Sequence, residues 1–118
     1  MHELSVLKQM IRTIEHTCRE QQIEKVETIV LQVGELSDFL PEFARDVFPM
    51  AVEGTFLEGA GLQMERVPAL GRCRECRTEF HPSEHQFRCP VCASLRIELL
   101  SGREVFIKEL IIEETEED

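Results

Sequence analysis

Tryptophan and tyrosine are absent from this sequence, so its core must be built from Leu, Ile, Val, Met and the seven phenylalanines. Long apolar runs are absent too, and none approaches the roughly 20 residues that a membrane-spanning helix requires. The N-terminal segment MHELSVLKQMIR lacks the basic region and continuous apolar stretch of a secretory signal peptide. These absences predict a cytoplasmic protein that does not associate with a membrane.

Basic charge is also scarce, because 13 Lys and Arg face 23 Asp and Glu, which gives a formal net charge of −10. This balance argues against general nucleic-acid binding, which needs a basic footprint, and against adhesion to an anionic membrane. It permits cationic partners, including metal ions. A length of 118 residues suffices for one compact domain with a small appendage.

Apolar periodicity predicts a helix at the N-terminus and a second helix near the middle of the chain. The first helix carries an apolar stripe at helical spacing, formed by Leu4, Leu7, Ile11, Ile14 and Cys18. Cys18 is expected to be a small core residue on that stripe. Pro41 is placed to open the second helix at its first position, whereas Pro49 is expected to kink or end it.

Three strands complete the predicted main domain, at residues 25–33, 62–67 and 104–112. The first is apolar on both faces near its end, as a central strand is. We therefore expect an α+β fold with two helices packed on a three-stranded sheet and an inserted zinc-ribbon-like module. The predicted domains are 1–70 with 104–118 and an inserted module at 71–103. The acidic tail 113–118 is expected to be solvated.

Four of the five cysteines form two C-x-x-C pairs, which twelve residues separate, and this spacing indicates a metal site. Four thiolates at about 2.3 Å from one ion make a closed tetrahedral site, for which zinc is the expected metal. With no open coordination position, this zinc is structural rather than catalytic. The proposed ligands are Cys73, Cys76, Cys89 and Cys92. Iron in the same sulfur cage, as in an electron carrier, and a redox dithiol are the competing interpretations.

The predicted module differs from the rest of the chain in charge, at +2 against −12. This mild basicity leaves open a zinc-ribbon module that binds protein or nucleic acid without any nickel role. His81 and His85 lie between the cysteine pairs, where they are expected to be exposed loop residues because four cysteines already complete the metal shell. Phe80, Phe87, Leu95 and Ile97 are the candidates for a small module core.

The N-terminal dipeptide offers a second metal chelate, made of nitrogen. The amine of Met1 and the amide nitrogen of His2 can close a five-membered ring on one ion, and the same amide and Nδ1 of His2 close a six-membered ring. Three nitrogens in one plane favour a square-planar Ni(II) or Cu(II) ion. A carboxylate at Glu3 is also explained by the dipole of the first helical turn.

Several motifs together resemble the HypA/HybF family of hydrogenase maturation nickel metallochaperones. They are the opening Met-His-Glu-Leu, a V-G-E-L-S after the first strand, Pro-Glu-Phe at the second helix, a Gly-x-x-Leu strand entry and C-x2-C-x12-C-P-x-C. The resemblance extends from residue 1 to about residue 113 and therefore covers nearly the whole chain.

The resemblance implies a nickel carrier that is not an enzyme. It implies delivery of Ni(II) to the precursor of the [NiFe]-hydrogenase large subunit together with a GTPase, and service to urease maturation proteins in some bacteria. The family's nickel ligand maps onto His2, and Glu3 beside it is a second candidate nickel residue, through its backbone. The structural zinc ligands map onto the four paired cysteines. The resemblance thus assigns nickel binding to the domain 1–70 with 104–118 and zinc binding to the module 71–103. Asp38, in the loop after the first strand, is a candidate extra oxygen ligand.

Overall fold

The amphipathic N-terminal segment forms a long helix in the computed structural model, which describes residues 2–112. Helix α1 spans His2–Glu20, and its buried face includes the predicted positions Leu7, Ile11, Ile14 and Cys18. These residues are buried together because residues three and four positions apart lie on the same face of a helix. Met1 and the predicted solvated tail 113–118 lie outside the described residues.

Helix α2 spans Pro41–Val52 and begins at the predicted proline. Its buried face includes Ala44, Val47, Phe48, Ala51 and Val52. Pro49 does not end the helix, which continues for three more residues. The proline is exposed, so its ring points away from the core and water can bond the carbonyl that loses its helical donor.

One three-stranded sheet has the order β2-β1-β6, in which β1 spans Thr28–Gly34, β2 spans Gly61–Val67 and β6 spans Val105–Ile111. The central position of β1 explains why consecutive residues in it are buried, among them Ile29, Val30 and Leu31. This arrangement confirms the predicted α+β fold, with its two helices and a three-stranded sheet.

Hydrogen bonds at the strand ends fix the direction of each pairing. Glu27 O accepts the N–H of Gly61 near the start of both strands, and Val67 O accepts the N–H of Glu35 near their ends, so β1 and β2 are parallel. A parallel pair needs a crossover, which here contains α2. β6 runs antiparallel to β1, through bonds that join Glu27 to Ile111 and Gly34 to Glu104.

A second three-stranded sheet has the order β4-β3-β5 and surrounds the cysteines. In it β3 spans Leu70–Cys73, β4 spans Glu79–Phe80, β5 spans Ile97–Ser101, and a 3₁₀ turn follows at Pro82–His85. Both pairings are antiparallel, with Cys73 opposite Ile97. These short strands were not predicted, because neither their length nor their alternation separates them from loop sequence.

The described chain divides into two compact units. One comprises residues 2–32, 39–65 and 106–112, and the other comprises 33–38 and 66–105. The second unit contains the four paired cysteines and is wider than the predicted module 71–103, because it includes a segment from the end of β1. The metal-binding roles assigned to the predicted domains stay predictions.

The second unit has a small apolar cluster of its own. Cys73, Phe80 and Cys89 are buried together, with Ile97 packed against them. Phe87 and Leu95 were expected in this core but are 44% and 66% exposed. Two of the three buried members are cysteines, so a metal ligand and a core position coincide here. Neither α1 nor α2 has the length and apolar content that a membrane span needs.

Candidate metal centre

The first cysteine pair lies on a tight turn held by two backbone hydrogen bonds. The N–H of Cys73 donates to the carbonyl oxygen of Thr78 at 2.9 Å, and the N–H of Arg77 donates back to the carbonyl oxygen of Cys73 at 3.0 Å. Arg77 adopts a left-handed conformation with φ of 67°. The turn therefore closes immediately after Cys76 and projects both thiols from the same loop.

The second pair repeats this geometry at the same spacing. The N–H of Cys89 donates to the carbonyl oxygen of Ser94 at 3.0 Å, and the N–H of Ala93 donates to the carbonyl oxygen of Cys89 at 2.9 Å. Ala93, four residues after Cys89 as Arg77 is after Cys73, has φ of 64°. The two C-x-x-C motifs are thus two copies of one turn, each built to present two sulfurs.

The two turns bring all four sulfur atoms to one point. Every pair of Sγ atoms among Cys73, Cys76, Cys89 and Cys92 lies within 4.8 Å. The Sγ atoms of Cys73 and Cys92 are 3.5 Å apart, and so are those of Cys76 and Cys89. Sulfurs at about 2.3 Å from a central tetrahedral ion lie about 3.8 Å from one another, so the cluster has the dimensions of such a site.

The thiols of the cluster differ widely in acidity. A hydrogen bond with the hydroxyl of Thr78, at 3.1 Å, lowers the pKa of Cys76 to about 6. The backbone N–H of Ser94 favours the thiolate of Cys92, but bonding to Cys73, burial and the neighbouring thiols raise its pKa to about 12. Backbone N–H groups of Cys76 and Glu75 lower the pKa of Cys73. The protein alone thus favours a mixture of thiol and thiolate here, because adjacent thiolates repel one another.

This donor set fits Zn(II). Four sulfurs at tetrahedral spacing, two of them on buried cysteines, make a closed site with no position for a substrate. A divalent cation stabilises all four thiolates and cross-links the two turns, which is the chemistry of a structural zinc. All four predicted zinc ligands are positioned to hold the ion.

His81 and His85 lie outside the sulfur cluster. Nδ1 of His81 is 2.8 Å from the carbonyl oxygen of Ala69, and the ring of His85 meets the ring of Phe80 edge-on at 5.9 Å. Both residues are exposed. Their contacts tie the loop between the cysteine pairs to β4 and to the residue that precedes β3.

Glu35 contributes to the cysteine unit although it is distant from the cysteines in sequence. Its Oε1 accepts the N–H of Ala69 at 2.9 Å and the hydroxyl of Ser83. These two bonds lower the pKa of Glu35, with smaller contributions from Arg66 and His81. In the sequence Glu35 stands within the V-G-E-L-S motif, and no local pattern there predicts its bonds to Ala69 and Ser83.

The predicted nickel residues lie at the start of α1. His2 is exposed and is the first residue of the helix, and its carbonyl oxygen accepts the hydroxyl of Ser5 at 3.1 Å. Glu3 is only 5% exposed, and its Oε2 accepts the N–H of Leu40 at 3.1 Å. Asp38 is exposed and belongs to the other compact unit. The nickel assignments of His2, Glu3 and Asp38 stay predictions.

The family relationship that the sequence motifs suggest is established by a match over nearly the whole chain. Residues 1–112 match the family model described as "Hydrogenase/urease nickel incorporation, metallochaperone, hypA". The chain belongs to the HypA family. HypA proteins serve nickel incorporation during hydrogenase maturation, and the four paired cysteines of this chain are positioned to hold structural zinc.

Curated HypA proteins match nearly the full length of this chain. Hydrogenase maturation factor HypA of Desulfitobacterium hafniense (strain DSM 10664 / DCB-2) is 37% identical over 114 residues, which cover 97% of this chain and 100% of the relative. The HypA of Trichodesmium erythraeum (strain IMS101) is 36% identical and covers 97% of each chain.

A solved HypA structure confirms the fold. The solution structure of the Ni metallochaperone HypA from Helicobacter pylori superposes with a TM-score of 0.72 at 23% identity and covers 93% of this chain and 96% of that chain. A second HypA solution structure gives a TM-score of 0.73 at 24% identity. At these identities the likeness establishes the arrangement of helices and sheets.

Proposed function

We propose that this HypA protein binds Ni(II) at its N-terminus and delivers it to the precursor of the [NiFe]-hydrogenase large subunit, together with a maturation GTPase. The observation that carries the proposal is the exposed His2 at the first position of α1, within the range that matches the family. The amine of Met1, which lies outside the described residues, would supply the first nitrogen of the chelate.

The position of His2 suits a chelate that includes its own amide nitrogen. The N–H groups of the first helical turn lie outside the i→i−4 ladder of a helix, so deprotonation of the amide at His2 leaves that ladder intact. The imidazole reaches the same ion through Nδ1, because the six-membered ring excludes Nε2. Three planar nitrogens suit Ni(II) and leave further positions open for a recipient's ligands.

Nickel content after desalting tests the site. We expect about one Ni(II) per chain for the wild type and almost none for His2→Ala, with zinc unchanged in both, by mass spectrometry. His16→Ala is the matched control, because His16 is an exposed histidine on the same helix. Normal nickel uptake by His2→Ala would show that the proposed site is wrong.

Transfer tests the delivery step. We expect the wild type to load a nickel-free large-subunit precursor in the presence of the GTPase, and both His2→Ala and a chain with an acetylated Met1 to fail. The measurement is radioactive nickel retained by the precursor after separation. Undiminished transfer by the acetylated chain would remove the amine from the mechanism.

A further inference from the structure

Among residues 2–112, Glu3 is the one charged residue that is buried, with 5% of its surface exposed. Its neighbour His2 is exposed, so the first turn of α1 directs one side chain to solvent and the next into the protein. A buried carboxyl group costs free energy unless it is hydrogen-bonded. Its partner therefore indicates what Glu3 does.

The partner of Glu3 is the N-terminus of helix α2. Oε2 of Glu3 lies 3.1 Å from the backbone nitrogen of Leu40, the residue that precedes the helix at its N-cap position. The two residues are 37 positions apart in sequence, and both belong to the same compact unit. The bond thus joins the first turn of α1 to the first turn of α2.

The N-cap residue and the first turn of α2 do not supply this bond themselves. Leu40 has no polar side chain and makes no side-chain cap, and Pro41 has no N–H. A capping box requires Glu or Gln three residues after the N-cap, but Phe43 occupies that position. The N-cap N–H is therefore capped from α1, by Glu3.

The electrostatics favour the same arrangement. The N-terminus of a helix carries partial positive charge, and a carboxylate placed there is stabilised. Removal of the side chain of Glu3 leaves the N–H of Leu40 without this acceptor in a part-buried place. Glu3 thus holds the first turn of α1, which also carries His2, in a defined place.

We propose that Glu3 is a positioning residue for the N-terminal nickel site and that its carboxylate does not ligate nickel. Its bond to Leu40 fixes the backbone of the first turn, so that the amide nitrogen and the imidazole of His2 are presented in one orientation. This inference rests on the proposed function for its nickel readout, whereas the role of the Glu3–Leu40 bond can be tested without nickel.

Two variants of Glu3 separate positioning from ligation. Glu3→Gln keeps an oxygen acceptor for Leu40 but loses the charged ligand, so we expect nickel affinity within about threefold of wild type and an unchanged nickel absorption spectrum. Glu3→Ala loses the acceptor, so we expect about tenfold weaker nickel binding with the same spectrum. Isothermal titration and ligand-field absorption measure the two properties.

Amide exchange of Leu40 in nickel-free protein provides the independent readout. We expect its exchange to be at least about tenfold faster in Glu3→Ala and much less affected in Glu3→Gln. Glu42→Ala is the matched control, because Glu42 is an exposed acid in the first turn of the same helix. Unchanged exchange of Leu40 in Glu3→Ala would overturn the inference even if the nickel proposal holds.

A stability control excludes a general loss of structure. Ile14→Val removes one methyl group from the buried face of α1 and is expected to lower stability without an effect on nickel affinity. Two results would overturn the inference. One is equal nickel loss in Ile14→Val and Glu3→Ala at matched stability, and the other is a changed spectrum in Glu3→Gln. Failure of the wild type to bind nickel through His2 would overturn the proposed function and leave the Leu40 result to decide the structural claim.

Discussion

The cysteine cluster and the N-terminus of α1 differ in each property that governs how long a metal stays bound. The cluster has four side-chain sulfurs within 4.8 Å, carried on two turns with matching hydrogen bonds. The proposed nickel site has one exposed imidazole and depends otherwise on backbone nitrogens. A closed set of four thiolates retains its ion, whereas an open set can pass its ion to a recipient.

The two regions also differ in how the protein supports them. The cysteines form much of the small buried cluster of their own unit, so metal and fold depend on each other there. The first turn of α1 belongs to a helix with four further buried positions along it, so we expect its packing to stabilise it whether or not nickel is bound. A carrier can therefore lose nickel without loss of structure.

The largest expected effect comes from removal of a zinc ligand. Cys73→Ala should abolish zinc binding and remove most amide-exchange protection from β3, because structural zinc contributes about 10–16 kcal/mol, as much as a whole domain's stability. Amides of α1 should keep their protection. Zinc by mass spectrometry and residue-resolved exchange measure both effects.

The remaining cysteine supplies the control for that variant. Cys18 is a buried cysteine on α1, and its burial raises the pKa of its thiol. Cys18→Ala should leave the zinc content at one ion per chain. Retained β3 protection in Cys73→Ala would show that the cysteine unit has a self-sufficient core, and the contrast between the two regions would fail.

A smaller effect is expected at Gly34, the last residue of β1, which belongs to the cysteine unit. A Cβ at Gly34 would overlap the backbone carbonyl of Gly102, so Gly34→Ala should cost about 1–3 kcal/mol of stability and speed the loss of zinc to a chelator. Gly61→Ala is the control, since its Cβ would meet Thr28 Oγ1 only at 3.4 Å. Urea unfolding compares them, and equal costs would contradict the close approach.

The bond between Glu35 and Ser83 should make the stability of the cysteine unit depend on pH. Because the folded-state pKa of Glu35 is lowered, its stabilisation is fully present above the unfolded pKa of about 4.3 and is lost as pH falls through the folded value. Glu35→Gln should therefore destabilise by about 1 kcal/mol at pH 7, discounted for partial exposure, and by less below pH 4.

Urea unfolding of the wild type and Glu35→Gln across this range measures the difference in stability. Ser83→Ala should remove most of the pH dependence of that difference, because Ser83 supplies the leading hydrogen bond to Glu35. A difference that stays constant as the pH falls from 7 to well below 4 would contradict the assignment.

The smallest effect is expected at the left-handed residue of the second cysteine turn. Ala93→Gly relieves about 1 kcal/mol of steric strain in the folded protein. It also stabilises the unfolded chain by a similar free energy, because glycine has more conformational entropy there, so zinc retention should barely change. Ala93→Val should weaken retention more, because a β-branched residue tolerates a φ of 64° poorly. A chelator competition assay ranks the two, and the reverse order would argue against the proposed turn geometry.

Much of the fold could be predicted because its signals are local. The stripe from Leu7 to Cys18 gives α1, Pro41 marks the start of α2, and the apolar run before Gly34 gives the central strand. Of the two outcomes expected at Pro49, a kink or the end of α2, the structure contradicts the second, because an exposed proline can stand within a helix that continues past it. Phe87 and Leu95 were misplaced in the core because composition does not show which side of a short loop is covered.

By itself, the sequence indicated the donor chemistry of the cysteine cluster and of the proposed nickel site, because C-x-x-C spacing and a histidine at position 2 specify ligand types and chelate rings within a few bonds. Only the tertiary structure decided which hydrogen bonds hold the segments that carry those donors. Glu35 bonds to Ala69 and Ser83, and Glu3 bonds to Leu40, across separations of 34 to 48 residues. Such bonds leave no local pattern, because their geometry exists only once the chain has folded.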